Sequence, residues 1–171
     1  EMFDEVTPEE VAERAAREAV AMLEAGDAPA GIMDVVMQNG WGGVLVHEAV
    51  GHPLEADNIA KGIGAFTGKI GHKVASECFT MVDDGTIPNA RGTINFDDEG
   101  TTARKNVLIE NGVLNGFMTY ILSARQLSME RTGNGRRESF RNIPIPRMTN
   151  TYIDNGKDKP EDILASTKKG I

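Results

Sequence analysis

The sequence predicts an α+β fold, a mainly antiparallel sheet with hairpins, packed with a motif-bearing helix and an N-terminal amphipathic helix. Three observations carry that expectation. Thr7-Pro8-Glu9-Glu10 is a helix start, with Thr as cap, Pro at the first helical position and Glu three residues after the cap. Glu110-Asn111-Gly112 sits between the β-prone runs Val107–Ile109 and Val113–Tyr120, and Asn-Gly accepts the positive φ angles of a tight hairpin. The order helix, strand, helix, then several turn-linked strands suits helices set against an antiparallel sheet.

The elements follow in order. From Pro8 the residues Val11, Ala15, Ala19, Met22 and Leu23 fall on one helical face, and Gly26-Asp27 ends the helix. Ala28–Gly31 reads as a linker. Ile32–Met37 is a short β-prone run closed by Asn39-Gly40, and Gly40-Trp41-Gly42-Gly43 forms a turn into the apolar stretch Val44–Val46. A glycine-spaced loop runs from Gly62 to Gly71. Lys73–Val82 and Gly92–Phe96 read as strands, ending at the turns Asp83-Asp84-Gly85 and Asp97–Gly100. Tyr120–Glu130 and Pro160–Ile171 have helical spacing, and the prolines at 144 and 146 suit an edge segment over Ile143–Ile153.

Composition narrows the function classes. The 171 residues are enough for one domain with a sizeable core. A net charge of −8 argues against a nucleic-acid surface over the whole molecule. The single cysteine, Cys78, cannot form an internal disulfide, so a reducing compartment is the default. The acidic start Glu1-Met2-Phe3-Asp4 is unlike a signal peptide, and no run is apolar enough to span a bilayer. The expectation is a soluble cytoplasmic protein without a membrane or nucleic-acid partner.

Chemistry concentrates in His47-Glu48-Ala49-Val50-Gly51-His52. Two imidazoles can hold zinc, which lowers the pKa of its water toward about 7, and an adjacent Glu can take that water's proton. The spacing is i, i+5. At about 100° per residue a regular helix sets such residues roughly 140° apart, too far to share an ion easily. The helix must therefore be distorted, and Gly51 and Pro53 supply the means: Gly weakens it, and the Pro ring clashes with the carbonyl of Ala49. A π-like bulge or a helix end near Gly51 would bring both rings to one side. The competing reading is a pair of structural histidines near an apolar run.

Other candidates are weaker. Glu55 is placed to orient the His52 imidazole, and Glu55 and Asp57 read equally well as solvated acids at a helix end. Arg131, Arg136, Arg137, Arg141 and Arg147 face one acid, Glu138. Arg136, Arg137 and Arg147 are candidates to bind a substrate carboxylate or backbone carbonyls, with a plain exposed loop as the alternative.

The run Gly43–Asp57 resembles the TldD/PmbA family of metallopeptidases, more closely its TldD branch. The likeness continues through Val82–Thr86, Asp97–Thr101, Asn106–Gly112, Thr132–Ser139 and Pro146–Thr151, covering most of residues 28–170 in order. It implies a cytoplasmic zinc peptidase acting on unfolded or precursor peptides, such as ribosomal peptide precursors and an antitoxin. The partner it implies is a related TldE/PmbA-like subunit lacking the motif, or a homo-oligomer. His47 and His52 match the two imidazole ligands and Glu48 the general base. The family's third ligand is a cysteine near the C-terminus; Cys78 does not match it and reads as a small core residue, and His72 reads as a loop histidine. Residues 1–31 are then expected to be the last helix and linker of an upstream domain, and residues 32–171 an incomplete catalytic domain. Zinc is expected in the full-length protein, and two histidines alone would bind it weakly, so the 171-residue chain is expected to be inactive by itself. Alternatives are a non-catalytic partner and a regulatory subunit, as the family's older gyrase-modulator label suggests.

Overall fold

Thr7 starts the first helix with the reciprocal bonds its sequence predicts. In the computed structural model, which describes residues 6–40 and 42–171, α1 spans Pro8–Leu23. The Glu10 N–H donates to Thr7 Oγ1 (3.2 Å) and the Thr7 N–H to Glu10 Oε2 (2.8 Å). None of the α1 residues is buried, the apolar stripe included. The chain divides into two units, Glu1–Val35 with Lys169–Ile171, and Val36–Lys168. In the first, the expected strand at 32–37 reduces to one parallel bridge between Asp34 and Gly170. Trp41 and Glu1–Asp4 lie outside the described residues, so the expected turn at Trp41 and the acidic start are not described.

The second unit holds the remaining elements. Gly43–Val46 is α2, followed without a break by a π-helical turn at His47–Gly51 and a 3₁₀ turn at His52–Leu54. Next come α3 (Ala56–Ala60), β1 (Met81–Asp84), β2 (Lys105–Glu110) and β3 (Val113–Leu114). The last are α4 (Ile121–Leu127), β4 (Gly135–Arg136), β5 (Ile145–Pro146), β6 (Thr151–Ile153) and α5 (Pro160–Ser166). Four strands form an antiparallel sheet in the order β3-β2-β1-β6, and β4 pairs with β5. The fold is α+β, as the sequence predicts. Asn111 (φ 48°) and Gly112 (φ 81°) make the β2–β3 turn in the left-handed conformation that Asn-Gly favours.

The core lies where this sheet meets the segment after the histidine motif. Leu54, Met81, Leu108, Ile109, Leu114 and Met118 are essentially fully buried, each contributing roughly 1.5–3 kcal/mol of hydrophobic free energy. The backbone of Met118 clamps the end of the motif: its N–H donates to Leu54 O, and its carbonyl accepts from Ala56 N–H, both at 3.0 Å.

Several sequence expectations change. The strand expected over 73–82 begins only at Met81, and Asp83 and Asp84 lie inside β1 rather than in a turn. A fully buried Asp83 is tolerated because it accepts from Asn134 Nδ2 (2.7 Å), Thr149 N–H (2.7 Å), Thr149 Oγ1 (2.8 Å) and Thr151 Oγ1 (2.7 Å). Gly92–Phe96 contributes a single bridge, Phe96 with Thr102. The strand expected over 113–120 stops at Leu114, and the last helices are shorter than their spacing suggests. Cys78 is exposed, not a core residue, and His72 is an exposed loop residue.

Candidate metal centre

The i, i+5 spacing of the two histidines is accommodated by the backbone. The N–H of His52 donates to the carbonyl of His47, an i→i+5 bond that stacks one residue over the other. Pro53 then occupies the first turn of the 3₁₀ segment, where its missing N–H leaves no partner unsatisfied, and Glu55 N–H closes that turn on His52 O (3.1 Å). Gly51 also allows a close approach. A Cβ built there would stand 2.4 Å from Met148 Sδ and 3.2 Å from its Cε, so the π-turn packs directly on a core methionine.

This turn brings the expected centre together. Ligand atoms of His47, Glu48 and His52 lie within 4.8 Å of one another. The two rings meet edge to face, centroids 4.7 Å apart, and Glu48 Oε2 is 3.8 Å from His52 Nε2. Glu48 is exposed and the histidines half-buried, so the centre is open on the Glu48 side.

Glu55 lies behind His52. Its Oε2 lies 3.1 Å from His52 Nδ1; with the ring proton on Nδ1, the Nε2 on the Glu48 side keeps a free lone pair. The Glu55 carboxyl is buried, and its Oε1 has no hydrogen-bond partner. Burial pushes its pKa above the ordinary glutamate value, opposed by the His52 hydrogen bond and then by the charge of Arg147, whose Nη1 is 3.7 Å away. Two imidazoles, one of them fixed by a buried carboxylate, beside an exposed carboxylate and an open side form a donor set that suits zinc.

The arginine segment reaches the same place. A cleft of about 510 Å³ is lined by His47, Arg136, Arg137 and Arg147, with Ile145 and Met148 as its apolar part. Larger clefts, about 700 and 660 Å³, lie beside α4 and beside Cys78; neither contains the histidine pair, so volume alone does not mark the site. Asp57, considered with Glu55, raises the Glu55 pKa slightly and makes no bond to either imidazole among the described contacts.

Sequence reasoning missed the residues that hold this arrangement. Asn134 donates both to Asp83 and to the Arg147 carbonyl (2.9 Å), and Arg147 N–H donates to Asn134 O (2.8 Å). Asp97 Oδ2 accepts from Gly135 N–H (2.9 Å), and Glu99 Oε2 from Ile121 N–H (2.7 Å). Buried polar ties of this kind join residues far apart in sequence, and only the acid-rich runs around 83 and 97 hinted at them.

Comparison with known proteins places the chain among metallopeptidase relatives. The profile of the PmbA/TldA metallopeptidase C-terminal domain matches residues 30–171. A metalloprotease TldD homolog of Haemophilus influenzae is 52% identical over 160 residues, covering 94% of this chain and 33% of that protein. A zinc metalloprotease TldD homolog of Saccharolobus solfataricus is 28% identical over 170 residues, covering 99% and 38%. Among solved structures, a Thermotoga maritima protein with a DNA-gyrase-modulator label has a TM-score of 0.79 at 29% identity, covering 95% of this chain and 36% of that one. TldE from Thermococcus kodakarensis has a TM-score of 0.62 at 35% identity, covering 70% and 27%. The chain belongs to the PmbA/TldD metallopeptidase family. It spans about a third of the length of the curated relatives it matches. No helix among the described residues is long and apolar enough to cross a membrane.

Proposed function

We propose that this chain carries two zinc ligands, His47 and His52, and the general base, Glu48, of a cytoplasmic peptidase that cuts unfolded or precursor peptides. The observation that carries the reading is the i→i+5 turn that sets the ligand atoms of all three within 4.8 Å, with His52 oriented from behind by Glu55. A bound zinc would supply Lewis acidity, lowering the pKa of a water toward about 7. Glu48, exposed and next to His52 Nε2, takes a proton at its carboxylate and returns it to the leaving amine. Glu55 keeps the His52 proton on Nδ1 so that Nε2 stays a donor to the metal.

Substrate binding falls to the arginine cleft and to open strand edges. β6 is the outer strand of the four-stranded sheet, where an extended peptide can add main-chain hydrogen bonds with little sequence preference. The third protein ligand, and hence full activity, is assigned to the protein at full length. There it pairs with a related TldE/PmbA-like subunit or a second copy. The test is Glu48→Gln in the full-length protein, with a flexible peptide as substrate. Loss of hydrolysis with zinc retained supports the base; full activity in that variant sinks the mechanism.

A further inference from the structure

We propose that the arginine cleft beside His47 receives a carboxylate of the peptide, so that the protein selects peptides carrying negative charge close to the bond it cuts. This rests on the peptidase reading and adds a substrate class to it. Three arginines, Arg136, Arg137 and Arg147, line the cleft that His47 also lines. The protein as a whole is acidic, with a net charge of −8, so this excess of cations is local.

What holds the arginines leaves their charge available. Arg136 Nη1 donates to the Met148 carbonyl (3.4 Å) and Arg137 Nη2 to the Asp98 carbonyl (3.3 Å), both neutral acceptors. The nearest carboxylate to Arg147 is Glu55 at 3.7 Å, whose Oε2 is already engaged by His52. The single acid of the cleft wall, Glu138, accepts from Asn142 Nδ2 at 3.4 Å. Oriented and incompletely neutralised guanidinium groups beside the apolar Ile145 and Met148 suit a planar carboxylate, which takes two parallel N–H bonds.

The cleft is also built in advance. Asn134 binds both the N–H and the carbonyl of Arg147, Asp83 accepts from Thr149 N–H two residues on, and β4 pairs with β5 through Arg136 and Ile145. A carboxylate would therefore meet arginines whose backbone is already in place, so only side-chain ordering would be drawn from its binding energy. Its source is either the peptide's C-terminal carboxylate or an acidic side chain near the cut.

The experiment uses the full-length zinc protein and a matched set of short flexible peptides. The parent has a free C-terminus and one Glu; the others carry a C-terminal amide, Gln for Glu, or both. Removing the recognised carboxylate is expected to lower kcat/KM about tenfold or more, mainly through KM. A fall with the amide identifies the C-terminus as the source, and a fall with Gln identifies the side chain. Arg136→Gln with Arg137→Gln is expected to bring the charged-to-neutral ratio toward one. Anisotropy of the labelled parent and doubly neutral peptides on the wild-type protein gives the same comparison without turnover or variants. Binding and cleavage equal within twofold across the set overturn carboxylate selection and leave the peptidase reading intact. Absence of any hydrolysis, with the parent still bound more tightly, removes the peptidase reading and keeps the carboxylate site.

Discussion

Glu55 reads from sequence either as an orienting carboxylate or as a solvated acid, and its surroundings are unlike those of a solvated acid. A solvated glutamate would keep both oxygens in water. Here Oε2 holds His52 Nδ1, Oε1 is buried without a partner, and Arg147 stands 3.7 Å off. In the proposed centre this buried carboxylate orients the imidazole, which offsets the cost of its burial. Glu55→Ala is predicted to weaken zinc binding by the protein about 10–100-fold, with Glu55→Gln intermediate, in a chelator competition. Asp83 has a different task. Asp83→Ala removes the acceptor of four hydrogen bonds and leaves buried donors unpaired, which should cost roughly 3 kcal/mol or more in a urea melt. A loss under 1 kcal/mol would mean that water replaces the carboxylate.

At the scale of elements, the π-turn decides whether the motif works. Alanine at 51 would gain up to about 1 kcal/mol in helix propensity, against roughly 1–3 kcal/mol for crowding a packed core. With Met148 93% buried (7% exposed) and its sulfur 2.4 Å from the new Cβ, crowding should win. Gly51→Ala is predicted to destabilise the protein by about 1 kcal/mol in denaturant melts, and a gain would show that Met148 yields freely. The α1 cap makes a pH prediction. The Thr7 backbone N–H, followed by its hydroxyl, holds the Glu10 pKa below the ordinary glutamate value. A lowered folded pKa gives a contribution present above the unfolded value and lost as pH falls through the folded one. Exchange of the Thr7 amide, which donates to the Glu10 carboxylate, should therefore quicken, relative to the intrinsic rate, as pH falls below the ordinary glutamate value, and Glu10→Gln should remove that dependence. The same elements show what was legible in sequence. Capping at Thr7, the Asn111-Gly112 turn and the break at Gly51-Pro53 are local events governed by neighbouring residues, and each forms as its chemistry predicts. Strand lengths and the burial of Asp83 depend on partners such as Asn134, Thr149 and Thr151, 51 to 68 positions away, which no local pattern encodes.

For the molecule as a whole, two features converge on one place: a π-turn that gathers His47, Glu48 and His52, and an arginine segment pinned beside it by buried polar ties. The family match carries the metallopeptidase class, and the chain covers about a third of its relatives' length. The decisive measurement is zinc coordination, by X-ray absorption at the zinc edge on the full-length protein. One zinc per protein is expected, with two imidazole nitrogens at about 2.0–2.1 Å, lost together in the His47→Ala His52→Ala variant. A zinc shell without imidazole, or one unchanged by that variant, would contradict the assignment of His47 and His52 as ligands.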